Sequence, residues 1–134
     1  MNKMIRNRRT LLLLALLIPG LALRADDVPM VKYTLDDSGD RMPLHTVVPA
    51  YPEKARRARV EGEVEVCFKV DHFGRTSRVA VRRSTNRVFE KPARDAVRHS
   101  TYYPLPDGQK LSGIKTCRTF RFLLTPVEVE VPDS

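Results

Sequence analysis

The side chains of this sequence best suited to chemistry are two cysteines, three histidines and a pair of neighbouring glutamates. His45, His72 and His99 lack the His-x-x-x-His spacing that sets two imidazoles on one helix face, and they fall in a loop, a turn and a helix end. The dipole of a helix C-terminus gives His99 a sufficient structural role. Glu63 and Glu65 share one face of a strand, but it is the outward face, where solvated carboxylates belong. Cys67 and Cys117 each stand opposite the apolar residues of their strands, and two sulfurs alone do not build a metal site. No Gly-x-Ser-x-Gly, Ser-x-x-Lys, Cys-x-x-Cys, P-loop or dinucleotide-binding glycine pattern occurs. With no nucleophile beside an identifiable base, we assign no catalytic residue, metal, cofactor or small-molecule substrate.

Charge offers a second kind of chemistry. The formal net charge of +8 divides unevenly: residues 43–126 hold 17 basic and 8 acidic side chains, or +9, while residues 26–42 and 127–134 carry −3 each and residues 1–25 carry +5. A basic core between acidic flanks suits an acidic ligand but opposes long-range steering toward nucleic acid. Arg75, Arg78, Arg82, Arg83 and Arg87 cluster on one strand and its flanks, with Arg78, Arg82 and Arg83 as a basic face. That face would either dock an acidic partner, such as peptidoglycan, lipid headgroups or an acidic peptide, or simply discourage sheet-to-sheet association. Arg56, Arg57 and Arg59 form the solvated side of a short helix.

The elements that must position these residues follow from periodicity. Met1 to Arg9 is basic and Thr10 to Leu23 uncharged. Fourteen helical residues reach about 21 Å, short of the roughly 30 Å hydrocarbon core, which predicts a signal peptide over 1–25, or an anchor if it stays uncleaved. Cleavage would follow Ala22 or Ala25. Residues 26–42 read as an acidic linker, in which the short apolar piece Val31 to Leu35 suits an accessory strand. Pro43 to Gly62 contains a short helix after Tyr51-Pro52, with Ala55 and Ala58 against a sheet and Gly62 as its stop.

From Val60 to Arg83 the sequence alternates twice around Asp71-His72-Phe73-Gly74, the pattern of a β-hairpin. Facing Val66 with Val79 and Val64 with Val81 would set Glu63 opposite Arg82. Phe89, Ala93, Ala96 and Val97 share a helical face, and Pro92 requires that helix to start near Phe89 or Glu90. After an Asp107-Gly108 turn, Ile114 to Leu124 reads as a third strand with Phe120, Phe122 and Leu124 on one face.

The string PAYPEKARRARVEGEVEVCFKVDHFGRTSRVAVRR, followed by FEKPARDAVRHSTYYP, resembles the C-terminal domain of TonB-type energy transducers across residues 43–126. Tyr51-Pro52, the Ala-rich helix, Glu61-Gly62, the Asp71 to Gly74 turn, the Phe89 to Arg98 helix and Tyr102-x-Pro104 stand in that family's order. The resemblance implies an α+β fold of the TonB/TolA C-terminal type: two short helices on one face of a small three-stranded antiparallel sheet. It implies that the last strand is an exposed edge that captures an extended peptide of an outer-membrane receptor. Carried onto this chain, that edge is Ile114, Lys115, Thr116, Cys117, Arg118, Thr119, Phe120, Arg121 and Phe122. In the family's strand order the strands of Cys67 and Cys117 are neighbours, which implies a disulfide on the outer face.

The chain departs from the family at Ser100, where an aromatic is usual, and it has neither a histidine in residues 1–25 nor a long Pro-rich spacer. The expectation is therefore a stand-alone periplasmic binding module, exported or held at the inner membrane, that contacts a receptor or other envelope protein within a transport system. A structural adaptor binding cell-wall polymer through the basic face is the alternative. The acidic tail 127–134 is expected to pair with the third strand, within the chain or across a homodimer formed through edge strands.

Overall fold

Val64, Val66 and Phe68 alternate along one strand and Phe120 and Phe122 along another, and all five are buried beneath two helices. A computed structural model describes residues 27–35 and 41–125 of the chain. The signal peptide with its cleavage sites and the acidic tail lie outside the described residues. The order is β1 (Val28–Leu35), β2 (Pro43–His45), α1 (Glu53–Arg57), β3 (Gly62–Val70), β4 (Thr76–Ser84), a single 3-10 turn (Arg87–Phe89), α2 (Glu90–His99), β5 (Thr101–Tyr102) and β6 (Thr116–Thr125). One antiparallel sheet runs β1-β6-β3-β4, and β2 pairs with β5 in a second, two-stranded one. The class is α+β, with a small antiparallel sheet and two helices. The main sheet has four strands rather than three, because part of the presumed linker is β1.

The core joins the sheet to α2 through Phe89, Ala93, Ala96 and Val97, all buried as their helical spacing requires. Phe89 stacks on Phe122 with ring centroids 4.3 Å apart, and Tyr51 meets both rings edge-on at 5.7 and 5.6 Å. Each fully buried phenylalanine contributes about 1.5–3 kcal/mol by leaving water, and the ring geometry adds to that. Pro92 sits in the first turn of α2, where its missing N–H breaks no helical bond. α1 is only five residues long and buries Ala55 alone; Ala58, expected against the sheet, is exposed.

Gly62 does not stop α1. The chain turns earlier, at Arg59, whose φ of 55° is left-handed, and Val60 N–H donates to Ala55 O at 2.9 Å. Gly62 instead opens β3 directly under Phe89, where a Cβ would lie 2.5 Å from the ring.

The hairpin also departs from its expected register. Asp71 Oδ1 accepts from Phe73 N–H and Arg75 N–H, and Gly74, at φ 83°, leaves no room for a side chain because a Cβ would lie 1.9 Å from Tyr102 O. Two irregularities along β3 and β4 then set Val66 opposite Val81 and Val64 opposite Ser84. Arg78, at φ 50°, lies in one of them. An extra residue at a bulge moves every later partner, which alternation cannot reveal. Glu65 consequently takes Arg83 at 3.1 Å and Arg82 at 3.6 Å, whereas Glu63 reaches across to Arg121 on β6 at 2.8 Å.

Two expected outcomes follow from this packing. Gly62→Ala lowers the unfolding free energy by about 1–3 kcal/mol, since the buried ring must shift to admit the methyl group; urea unfolding measures it. Glu53 accepts from Arg56 and Arg57, which holds its carboxyl down at about 2 against an ordinary 4.5. Its folded value lies below its unfolded one, so its contribution is present above pH 4.5 and fades as the pH falls toward 2. An NMR titration of Glu53 has its midpoint near 2, and Arg56→Ala moves it up.

Candidate functional site

β6 carries the residues expected to bind a partner, and the structure places most of them inside the sheet. Thr116 to Phe122 belong to the strand, whereas Ile114 and Lys115 precede it and are exposed. On one side β6 pairs with β3 from Gly62↔Phe122 to Phe68↔Thr116. On the other it pairs with β1 from Val28↔Thr125 to Leu35↔Arg118. The strand is therefore not an open edge in this structure. Val31 and Tyr33 supply the reason: as alternate residues of β1 they lie on the core side of the sheet, Val31 against the apolar cluster and Tyr33 6.5 Å from the Phe120 ring. The flank on which the acidic tail was expected to pair is the one that β1 holds.

Arg118 is the residue of that list whose surroundings are least foreseeable. It shares the core face with Phe120 and Phe122 and is completely buried. Nη1 donates to Ser100 Oγ at 3.1 Å and Nη2 to Tyr102 Oη at 2.8 Å. Ser100, itself buried, also donates to Ala96 O and accepts from Val47 N–H, so one small hydroxyl ties α2, the segment before α1 and β6 together. Burial raises the Tyr102 pKa more than the guanidinium lowers it, which keeps the phenol neutral. The parity of Arg118 with Phe120 was the available signal for its inward direction. Its partners, from α2 and β5, carried none.

The remaining expectations distribute as follows. Cys67 and Cys117 are direct cross-strand partners with Cα atoms 4.1 Å apart, and they form a disulfide that closes a separation of 50 residues. Glu65 has a carboxylate oxygen within 4.8 Å of both sulfurs, but the bond between them removes the thiolates a metal would need. Arg82 and Arg83 share the single carboxylate of Glu65, and Arg75 meets Asp71 at 3.5 Å and the Phe73 ring, so the face of Arg78, Arg82 and Arg83 keeps a net positive charge. His45 and His72 are exposed on β2 and in the hairpin turn. His99 Nδ1 lies 2.7 Å from Asp95 O at the end of α2.

The arrangement of β3, β4, α2 and β6 can now be set beside known proteins. A family described as the Gram-negative bacterial TonB protein C-terminal matches residues 47–124. The chain belongs to that family. Over 90 residues it is 31% identical to protein TonB of Pseudomonas aeruginosa, covering 66% of this chain but only 26% of that protein. It thus spans about a quarter of the length of that relative. The solution structure of the Pseudomonas aeruginosa TonB C-terminal domain is similar at a TM-score of 0.50 and 27% identity, covering 72% of this chain and 94% of that one. The TonB2 protein of Vibrio anguillarum is similar at a TM-score of 0.50 and 31% identity, covering 69% and 92%. β1 lies before the matched span, so the strand that caps β6 is outside what the TonB family match covers.

The disulfide gives a direct test of this geometry. Closing a 50-residue loop stabilises the fold by about 4 kcal/mol in the chain-entropy account. Replacing both cysteines by alanine lowers the unfolding free energy by roughly that amount. Intact-mass measurement without reductant finds the wild-type chain lighter by two hydrogens.

Proposed function

We propose that this chain is a periplasmic protein-binding module that takes up an extended segment of an envelope partner, such as an outer-membrane receptor, along β6, and that β1 yields its place to that segment. The observation that carries the proposal is the manner in which β1 is held. Eight residues pair with β6 through the backbone and Val31 packs against the apolar core cluster, yet Val28, Met30 and Tyr33 remain 49, 38 and 41% exposed. A strand anchored by backbone pairing can be exchanged for another that offers the same N–H and C=O groups. Pro29 supplies no N–H at all, which is tolerated on an outermost strand.

The other end of the sheet is less suited to the task. β4 is bent at two irregularities and carries Arg78, Arg82 and Arg83, features that blunt an edge against pairing. Membership of the TonB C-terminal family supports a role in transport through protein contact. The Cys67–Cys117 disulfide supports an oxidising compartment, in keeping with export. Among the described residues no helix is long and apolar enough to cross a membrane.

A peptide copying residues 28–35, VPMVKYTL, serves as the probe. A tethered strand acts at about millimolar effective concentration, so the copy competes better once β1 is weakened by Val31→Gly and Tyr33→Gly. Titration into this full-length variant shifts the amides of Thr119, Arg121 and Leu123 and moves those of Lys32 and Thr34 toward unstructured positions. Changes confined to β4 would reject exchange at β6.

A further inference from the structure

Arg118 carries a full positive charge into the core without a carboxylate to answer it. Its two hydrogen-bond acceptors, Ser100 Oγ and Tyr102 Oη, are neutral, its Nε has no partner, and none of the ion pairs among the described residues includes it. A buried charge left in this state is costly, and the surrounding rings offset only part of the cost. Three rings face the guanidinium: Tyr33 and Phe68 at 5.8 Å and Phe120 at 6.0 Å.

These rings differ in permanence. Phe68 and Phe120 lie on β3 and β6, at the centre of the sheet, and both are buried. Tyr33 belongs to β1, is 41% exposed, and stands on the side from which an exchanging strand would arrive. Removal of β1 therefore opens Arg118 on one side only. A new strand in the register of β1 sets its own side chain opposite Phe120, within reach of the guanidinium.

We infer that the segment which replaces β1 carries a carboxylate side chain at the position of Tyr33, received by Arg118. The inference rests on the strand exchange proposed above and adds to it the chemical class of the ligand: an extended peptide with an acidic residue flanked by apolar ones at alternate positions. Backbone pairing along β6 then supplies affinity of a kind any extended chain can obtain, and the ion pair supplies choice. In the resting chain Tyr33 covers the charge with an aromatic face, which excludes water without neutralising it.

The test uses the full-length Val31→Gly/Tyr33→Gly chain and two versions of the 28–35 peptide, one with Tyr33→Glu and one with Tyr33→Gln. Calorimetric titration at pH 7 finds the glutamate peptide about tenfold tighter, the scale of a charge-assisted bond to an otherwise unanswered group. The difference disappears when Arg118→Met is added to the host. It also shrinks progressively as the pH falls below about 4, where the free glutamate protonates. Equal affinities, or a preference that survives Arg118→Met, would overturn the inference while leaving strand exchange in place. Failure of both peptides, with the amides of Lys32 and Thr34 unmoved, would overturn exchange and this inference together.

Should the Arg118→Met host not fold, a second measurement decides the matter within one chain. Tyr33→Glu in the otherwise native protein is more resistant to heat than Tyr33→Gln at pH 7. Pairing with Arg118 lowers the folded pKa of the introduced carboxylate, so this advantage is full above the ordinary glutamate value and is lost as the pH falls from there through the lowered one. A gap between the two variants that is absent at pH 7, or unchanged at pH 3, removes Arg118 as its receptor.

Discussion

The pairing of β3 with β6 is the constraint on which the rest of the structure depends. It brings Val64, Val66 and Phe68 beside Phe120 and Phe122, joining strands whose two cysteines are 50 residues apart in sequence, and the apolar face so formed is what α2 packs on. Non-local pairing of this sort bears a large loop-closure cost before any contact is made. The Cys67–Cys117 bond lies within the same pairing and removes part of that cost from the unfolded chain. On the opposite face the disulfide needs no room in the core, so the same two strands are fastened on one side by covalent chemistry and on the other by packing.

Once β3 and β6 are joined, β6 has one free flank, and a free flank is a row of unmet donors and acceptors. This chain meets them with its own residues 28–35. The solution gives the sheet a fourth strand, which adds Val31 and the Tyr33 ring to the core side. β6 is thereby paired on both sides, with β3 from Gly62↔Phe122 to Phe68↔Thr116 and with β1 from Val28↔Thr125 to Leu35↔Arg118.

The polar centre around Arg118 follows from the same geometry. β6 alternates an arginine into the row that holds Phe120 and Phe122, and the fold accommodates it through Ser100 and Tyr102, which close over it from the end of α2 and from β5. The Ser100 hydroxyl accepts from Arg118 and from Val47 N–H while donating to Ala96 O, which an aromatic hydrocarbon side chain could not do. The serine at position 100 is thus matched to the arginine at position 118.

By itself the sequence determined the local elements: the hairpin around Asp71 to Gly74, the α2 face of Phe89, Ala93, Ala96 and Val97, the apolar parity of β6, and the opposite parity of both cysteines. These are set by side-chain period and by backbone conformations that few residues adopt, and both are written in neighbouring positions. Only the tertiary structure decided the partners. Two irregularities along β3 and β4 set Arg82 and Arg83 on Glu65 and left Glu63 to Arg121 of β6, the accessory strand expected over Val31 to Leu35 became a full strand over Val28–Leu35, and Arg118 turned from a member of an open edge into a buried cation. The physical reason is common to all three. Alternation tells which way a side chain points but not what stands there, and that depends on segments tens of residues away whose approach is governed by the sheet as a whole.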